Sequence, residues 1–325
     1  MRVLGATSTA CPGDGPTDGP AAARIERANT MLIATLTALC DADVQLDLII
    51  NVFAGNPRWT LPPCVINTSS VPGSKYSFWR NVLTPEVAHS YDIIWHFDND
   101  LLPAQLSLGF VFRAFIESGA SLVQPCIVPH PLANGRATDI SHLRCNGALH
   151  RCKRFPSKST CYIRSSDFVE VMTPIFTRRA WVRMHELLVT LPSELLQLAY
   201  RNRDQGPDRT FCPLFAKHLG GSYASKRHAC GVMCMPLQHA NFKQIEYEGY
   251  NKRHANGSMD LSTVDDSLFK ATREKYPKLF KWGTPRMGHW TCLLDRKNAT
   301  AGLRALEANA TVVDRMDAWH KKTWD

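Results

Sequence analysis

The chain has 325 residues, of which 44% are hydrophobic and 21% are charged, with a formal net charge of +9. This composition is that of a globular protein with a real core, and the length excludes a small domain built around disulfides. The basic charge suits a polyanionic ligand, but it does not choose among a nucleotide diphosphate, a nucleic acid and an anionic membrane surface.

No apolar run reaches the roughly 18 to 20 residues that a membrane-spanning helix needs. Residues 1–20 lack the basic and apolar regions of a secretory signal. We therefore expect a soluble, cytoplasmic chain without a transmembrane anchor, with a secretory lumen as the alternative. The eleven cysteines are an odd number, and reduced buried thiols are the expected state. Asn-x-Ser/Thr sequences, which permit glycosylation in a lumen, begin at Asn67, Asn256, Asn298 and Asn309.

Strand and helix patterns alternate along the first half of the chain. Strands are predicted at 1–6, 46–53, 93–97 and 121–128, and helices at 24–39, from Thr84 onward, and at 104–117. Thr84 is a good N-cap because Pro85 and Glu86 follow it. Residues 61–74 hold three prolines and are predicted to form a loop. The strand–helix–strand order indicates an α/β fold with a mostly parallel sheet flanked by helices.

The second half is predicted to extend the same sheet and then to become helical. Strands are predicted at 162–176 and 229–237, and helices at 178–191, 192–200, 268–280 and 302–320. We expect one nucleotide-binding catalytic domain over residues 1–245. Residues 246–325 are predicted to form a C-terminal helical extension packed on that domain.

Two aspartates directly follow the apolar run at 93–97. Asp98 and Asp100 lie two residues apart, so their carboxylates could converge on one hard cation at the end of a buried strand. That end is also where open α/β sheets place their ligands. A turn that uses Asp and Asn only as turn formers is the structural alternative. A second Asp-x-Asp, Asp41 and Asp43, follows a helical pattern and is interpreted as a solvated connection.

The segment 129–159 is polar and basic and contains both cysteine and histidine. It lacks the paired Cys-x-x-Cys arms of a zinc site, so a long basic loop is the preferred interpretation. Glu170 lies within a predicted strand among apolar neighbours, where a carboxylate is costly unless it is paired or used.

Several blocks of sequence resemble one known family. They are Lys75 to Glu86, Tyr91 to Leu101, Gln124-Pro125, Phe168 to Phe176, Gly206-Pro207-Asp208 and His239. In that order they are similar to the DUF 707 group of proposed glycosyltransferases, over roughly residues 46–245. Gln205 stands where the family has a tryptophan, and Pro207 follows it, which departs from the pattern around Asp208.

The resemblance implies a GT-A-like, Rossmann-type fold that binds a nucleotide-sugar donor, with a UDP-sugar expected by analogy. Asp98 and Asp100 would hold Mn²⁺ or Mg²⁺, and His239 matches a C-terminal metal ligand of such enzymes. We expect Lys75 and Asn99, with the two aspartates, to contact the donor.

Transfer to a glycan or other hydroxyl acceptor, with inversion, would need a carboxylate base. Glu170 and Asp208 are the candidates, and apolar neighbours would raise the pKa of Glu170. Asp208 could instead bind the acceptor. We expect no nucleic-acid partner; donor sugar, linkage and oligomeric state do not follow from the sequence.

Two other functions are compatible with the residues. A metal-dependent phosphoester hydrolase also uses paired aspartates, although further acidic or histidine ligands are not grouped nearby. A metal-independent basic module for a polyanion would use residues 136–164, although aromatic residues do not interleave with the basic ones there.

Overall fold

The structure is a computed structural model. It describes residues 1–11, 20–55, 57, 59–101, 107–129, 161–166, 168–191, 211–212, 229–239, 274, 291–295 and 297–309. Asp208, nearly all of the basic segment 129–159, the helix predicted at 192–200 and all but residue 274 of the helix predicted at 268–280 lie outside these residues.

The described elements follow the predicted order closely. The strands are β1 (Arg2–Ala10), β2 (Gln45–Ala54), β3 (Val65–Ser69), β4 (Ile93–His96), β5 (Leu122–Pro129), β6 (Cys161–Ser165), β7 (Ile175–Thr177), β8 (Cys230–His239) and β9 (Cys292–Asp295). The helices are α1 (Pro20–Cys40), α2 (Lys75–Asn81), α3 (Pro85–Ala88), α4 (Leu108–Ser118), α5 (Arg178–Thr190) and α6 (Ala301–Asn309). None of the helices in the described ranges is both long and apolar enough to cross a bilayer.

The nine described strands form one sheet in the order β3-β2-β1-β4-β7-β5-β8-β6-β9. The pairs β1–β2, β2–β3, β1–β4 and β5–β8 are parallel. Strand β7 lies between β4 and β5 and is antiparallel to both, and β6 is antiparallel to β8 and β9. All strands except β6 and β7 therefore run in one direction, and the predicted α/β class with a mostly parallel sheet is confirmed.

Helices cover both faces of the sheet because successive strand residues point to opposite sides. In β4, Ile93 and Trp95 join the core beneath α1, α4 and α6, whereas Ile94 joins the core beneath α2, α3 and α5. Ile93 and Ile94 are both fully buried. The continuous apolar run that predicted β4 is thus explained by burial on both faces.

The structure differs from the predicted elements at three places. Residues 65–69, predicted as loop, form the short edge strand β3, whose polar sequence gives no strand signal. The strand predicted over 162–176 is two strands, β6 and β7, separated by a turn segment. Within the predicted helical extension, β9 joins the sheet beside β6, and α6 follows it. The division of the chain at residue 245 stays a prediction.

The expectation of reduced cysteines is wrong for most of the described cysteines, although Cys11 is a buried free thiol as expected. Disulfides join Cys40 to Cys64, Cys161 to Cys292 and Cys212 to Cys230. The second bridge ties β6 to β9 across a sequence separation of 131 residues. The pairing depends on which strands lie side by side, so the count and spacing of the cysteines could not predict it.

Asp43 caps helix α4 from outside the helix. Its Oδ1 accepts a hydrogen bond from the Gly109 backbone N–H at 3.1 Å, while the helix's own N-cap residue, Ser107, makes no side-chain cap. A Cβ at Gly109 would lie too close to Asp43 Oδ2, so a larger residue there would displace the carboxylate from the cap. The Asp41/Asp43 pair therefore includes a structural residue, which agrees with the interpretation as a connection.

We expect Asp43→Ala to lower the free energy of unfolding by about 1 kcal/mol, the usual contribution of a helix cap. Urea unfolding followed by circular dichroism measures it. Asp41→Ala, in the same connection, is the control and should change stability by less than about 0.5 kcal/mol. Equal losses in the two variants would contradict the cap.

Candidate functional site

The Asp98–Asn99–Asp100 turn lies where the sheet order reverses. From β1 the chain proceeds outward to β2 and β3, and it then returns to the other side of β1 to form β4. The carboxyl ends of β1 and β4 are adjacent because these strands are parallel, with Ala6 opposite His96. Such a switch point leaves a crevice between the two strand ends, which is where open α/β sheets bind ligands.

Asn99 ties this turn to the end of β1. Its Nδ2 donates to Thr9 Oγ1 at 2.9 Å, and the Thr9 hydroxyl donates to Asn29 Oδ1 of α1 at 2.9 Å. Asn29 Nδ2 in turn donates to the Ala10 carbonyl at 3.0 Å. This chain of buried hydrogen bonds fixes the position of the turn relative to both strands and to α1.

Lys75 reaches the same turn from the first residue of α2. Its Nζ lies 2.5 Å from Asp98 Oδ1, and both side chains are mostly buried, with exposed fractions of 19% and 17%. Burial by itself would raise the pKa of Asp98, but the Lys75 ammonium and the His96 ring outweigh it and lower that pKa. Asp98 is therefore a carboxylate at neutral pH.

The buried His96 ring lies next to the Asp98 carboxylate. Trp79 Nε1 can only donate, and it lies 3.0 Å from His96 Nδ1, so this nitrogen is the acceptor. Burial lowers the His96 pKa to about 4, and the ring is neutral with its proton on Nε2. That N–H lies 3.8 Å from Asp98 Oδ1, which is beyond hydrogen-bond distance, and it has no hydrogen-bond partner among the described residues.

The segment 168–174 passes Asp98 and then runs beside β4 as far as His96. The Asp98 N–H donates to the Met172 carbonyl at 2.9 Å, and the His96 N–H donates to the Pro174 carbonyl at 3.0 Å. Glu170 is buried in this segment, where its Oε2 accepts from the Met172 N–H at 2.8 Å and its own N–H donates to Gln124 Oε1. The apolar pattern predicts a strand at Glu170, but the chain turns here and Glu170 lies outside any strand.

The structure thus brings together some of the predicted site residues. Lys75 contacts Asp98 directly. Asn99 is the next residue in the chain, and Asp100 follows in the same turn. Glu170 lies two residues from the carbonyl that binds the Asp98 backbone. The backbone of His239 ends β8, whereas its ring and all of Asp208 lie outside the described residues. Within those residues, no three His, Cys, Asp or Glu side chains converge as metal ligands.

Sequence reasoning missed two groups of supporting residues. Thr9 and Asn29 position Asn99, and Trp79 holds the His96 ring that lies next to Asp98. The run of hydroxyl residues at the end of the otherwise apolar β1 was the available signal for the first group. The Trp79–His96 pair had none, because its members lie in different elements and meet only through α2 packing on the sheet.

Cys11 lies at the carboxyl end of β1 as a buried free thiol. Burial raises its pKa to about 12, and a protonated thiol is a poor nucleophile. We expect Cys11 to resist iodoacetamide in the native protein at pH 8 and to react fully in denaturant, as quantified by peptide mass spectrometry. Alkylation at equal rates in both states would show that the end of β1 is open to solvent.

The family comparison agrees with the resemblance seen in the sequence. Residues 58–190 match the family model described as "Protein of unknown function (DUF707)", so the predicted family resemblance is confirmed over that segment, which spans Lys75, the Asp98 turn and Glu170. No curated protein sequence matches the chain.

Two solved structures resemble the chain at low identity. One is a candidate nucleotide-diphospho-sugar transferase from Desulfovibrio desulfuricans G20, at 10% identity and a TM-score of 0.37, covering 87% of this chain and 99% of that one. The other is residues 1–349 of S. aureus TarS in complex with UDP, at 10% identity and a TM-score of 0.43, covering 86% and 73%. Because both scores lie below 0.5, the fold assignment rests on the sheet order and strand directions described above.

Proposed function

We propose that the chain is a glycosyltransferase that binds a nucleotide-sugar donor at the Asp98–Asn99–Asp100 turn. The observation that supports this most strongly is the position of the turn in the crevice between β1 and β4. The Asn99–Thr9 hydrogen bond holds it there, at the place where open α/β sheets bind nucleotides. A UDP-sugar is the proposed donor by analogy with other enzymes of this general kind.

The negative charge of the site suits a diphosphate only if a cation lies between the carboxylates and the phosphates. Asp98 is ionised, so it would repel a diphosphate placed directly against it. Lys75 supplies one positive charge at its carboxylate. A donor diphosphate could approach Lys75 directly, and a divalent cation between the carboxylates and the phosphates would remove the remaining repulsion.

The chemistry of the donor atoms fits a hard divalent cation, Mn²⁺ or Mg²⁺. Asp98 and Asp100 provide carboxylate oxygens two residues apart, and such ions use one or two carboxylates plus substrate phosphates. We propose these two residues and His239 as the ligands of the cation. The Asp98 carboxylate would then contact both the cation and Lys75. The cation would neutralise the charge that develops on the leaving diphosphate.

Glu170 is the proposed base for an inverting transfer to a hydroxyl acceptor, with Asp208 as the alternative base or acceptor contact. Glu170 lies in the segment that adjoins Asp98, and its burial suits a carboxylate that must accept a proton near neutral pH. The Met172 N–H already occupies one of its oxygens.

A thermal-shift panel tests the donor site. UDP-, GDP- and CMP-sugars are compared, each with Mn²⁺ or with EDTA. A ligand at 100 times its dissociation constant stabilises a protein by about 2.7 kcal/mol, so we expect a clear shift with one nucleotide that EDTA removes. A shift that persists in EDTA would refute the cation, and no shift with any nucleotide would refute the donor site.

Glu170→Gln tests the base separately from donor binding. The glutamine keeps an acceptor for the Met172 N–H but cannot take a proton. We expect the donor-dependent thermal shift to remain, while the rate of sugar transfer to the acceptor falls by about 10²- to 10⁴-fold, the usual contribution of a general base. A rate within about threefold of wild type would leave Asp208 as the candidate base.

A further inference from the structure

Two glycosylation sequences lie at opposite edges of the sheet. Asn67 is exposed on β3, which is the first strand in the sheet order, and Asn298 is exposed in the turn directly after β9, which is the last. Each is followed by the required hydroxyl residue two positions later, Ser69 and Thr300. The fold therefore presents both sequences on its surface, at places that sequence spacing alone does not reveal.

The disulfides indicate the compartment in which such a modification occurs. Three bridges lie within the described residues, and one of them, Cys161–Cys292, links β6 to β9 just before Asn298. Disulfides form and persist in oxidising compartments and are rare in the cytosol. The same lumen that forms these bridges is where the glycosylation of Asn-x-Ser/Thr sequences takes place in secreted proteins.

We propose that Asn67 and Asn298 carry N-linked glycans, which cover the two edges of the sheet that the described strands form. The co-substrate is a lipid-diphosphate-linked oligosaccharide. A bond forms between the Asn Nδ2 and the anomeric carbon of the sugar, the bond from that carbon to the diphosphate oxygen breaks, and one amide proton passes to a base of the transferring enzyme. The lipid diphosphate is the leaving group, and no oxidation or reduction occurs.

The hydroxyl groups of both sequences have structural roles once the chain is folded. Ser69 Oγ donates to Asn51 Oδ1 at 3.0 Å, and Thr300 Oγ1 donates to Glu117 Oε1 at 2.6 Å. These contacts would compete with a glycosylating enzyme that needs the hydroxyl. The modification therefore belongs to the unfolded, newly made chain, and folding then leaves the glycan on an exposed side chain.

A glycan at each edge would shield an edge strand from pairing with another chain. An edge strand carries unpaired backbone N–H and C=O groups that can pair with another chain, and proteins usually protect such strands. In β3 this hazard is increased by Ile66, whose side chain is 53% exposed. A glycan on the adjacent Asn67 would shield that strand, and one at Asn298 would shield β9.

Peptide mapping of the full chain isolated from the cells that naturally make it tests the occupancy. Digestion with peptide N-glycosidase F in ¹⁸O-labelled water marks every asparagine that carried a glycan. We expect the label on both Asn67 and Asn298, in newly made as well as mature protein, so that a failure to fold does not hide the result. An unlabelled Asn67 or Asn298 would overturn the assignment of glycans to both edges.

Variants made in a secreting host test the same assignment by another route. Asn67→Gln and Asn298→Gln should each remove one glycan from the chain in the cell lysate, whereas Ser69→Thr, which keeps both the sequence and the hydroxyl, should not. Unchanged glycan number in either Gln variant would contradict the proposal. Enzymatic removal of the glycans from folded protein should then produce concentration-dependent association by light scattering, and a chain that stays monomeric would refute protection of the edges.

Discussion

Replacing Asp98 with asparagine is expected to abolish the nucleotide-sugar-dependent thermal shift and to lower the rate of sugar transfer by about 10²- to 10³-fold, the range seen when one electrostatic contact to the leaving charge is lost. The side chain keeps its size, but it no longer carries the charge that binds Lys75 and would hold the cation. Because the pKa of Asp98 is lowered, the wild-type carboxylate stays ionised and the loss should be the same from pH 6 to pH 8.

Asp92→Asn is the matched control for this prediction. Asp92 precedes the opposite end of β4, and its Oδ2 accepts from the Arg2 backbone N–H at 2.9 Å. An amide oxygen can replace that acceptor, so both the thermal shift and the transfer rate should stay within about twofold of wild type, in keeping with a surface change. If Asp98→Asn retained the full shift with the cation present, the donor site would have to lie elsewhere.

Replacing Trp181 with alanine is expected to lower the free energy of unfolding by about 3 to 5 kcal/mol. Trp181 is fully buried between α5 and the sheet, where its ring makes edge-to-face contacts with Trp79 at 5.5 Å and Phe176 at 5.2 Å between centroids. Its Nε1 also donates to the Leu83 carbonyl at 2.7 Å. The substitution thus leaves a large cavity and an unsatisfied carbonyl, and urea unfolding measures the loss.

Val189→Ala in the same helix provides the comparison. Val189 is 53% exposed, so its truncation should change stability by less than about 0.5 kcal/mol. Trp181→Phe should fall between the two variants, because it keeps most of the ring contacts but loses the hydrogen bond. A loss below about 1.5 kcal/mol for Trp181→Ala would contradict the packing of α5 against Trp79 and Phe176.

The elements were predictable wherever a local pattern carried the signal. The apolar runs at β2, β4, β5 and β8 are buried on both faces, and the helical spacing at α1 and α5 follows their contact with the sheet. The Thr84 cap is also confirmed, since its Oγ1 accepts from the Val87 N–H at 3.5 Å. By contrast, β3 and β9 are short edge strands whose exposed or mixed residues give no period that a sequence can reveal.

The two aspartates of the candidate site were predictable from the sequence, but the residues that hold their turn in place were not. Asp98 and Asp100 follow a strand in the sequence, so their place at a strand end needs no tertiary information. The contact of Lys75 with Asp98, the bond of Asn99 to Thr9, and the packing of Trp79 on His96 join residues of different elements. These contacts depend on which strands become neighbours, and no local spacing specifies that.

The α/β class, the order of most strands and helices, the family resemblance and the acidic turn after β4 follow from the amino-acid sequence without any knowledge of the fold. The tertiary structure was needed to show that β7 enters the sheet between β4 and β5, that β9 pairs with β6, and that disulfides join three pairs of the described cysteines. The two kinds of information act over different distances along the chain. Helix caps and apolar periods act over a few residues, whereas strand order and disulfide pairing arise from the packing of the whole sheet.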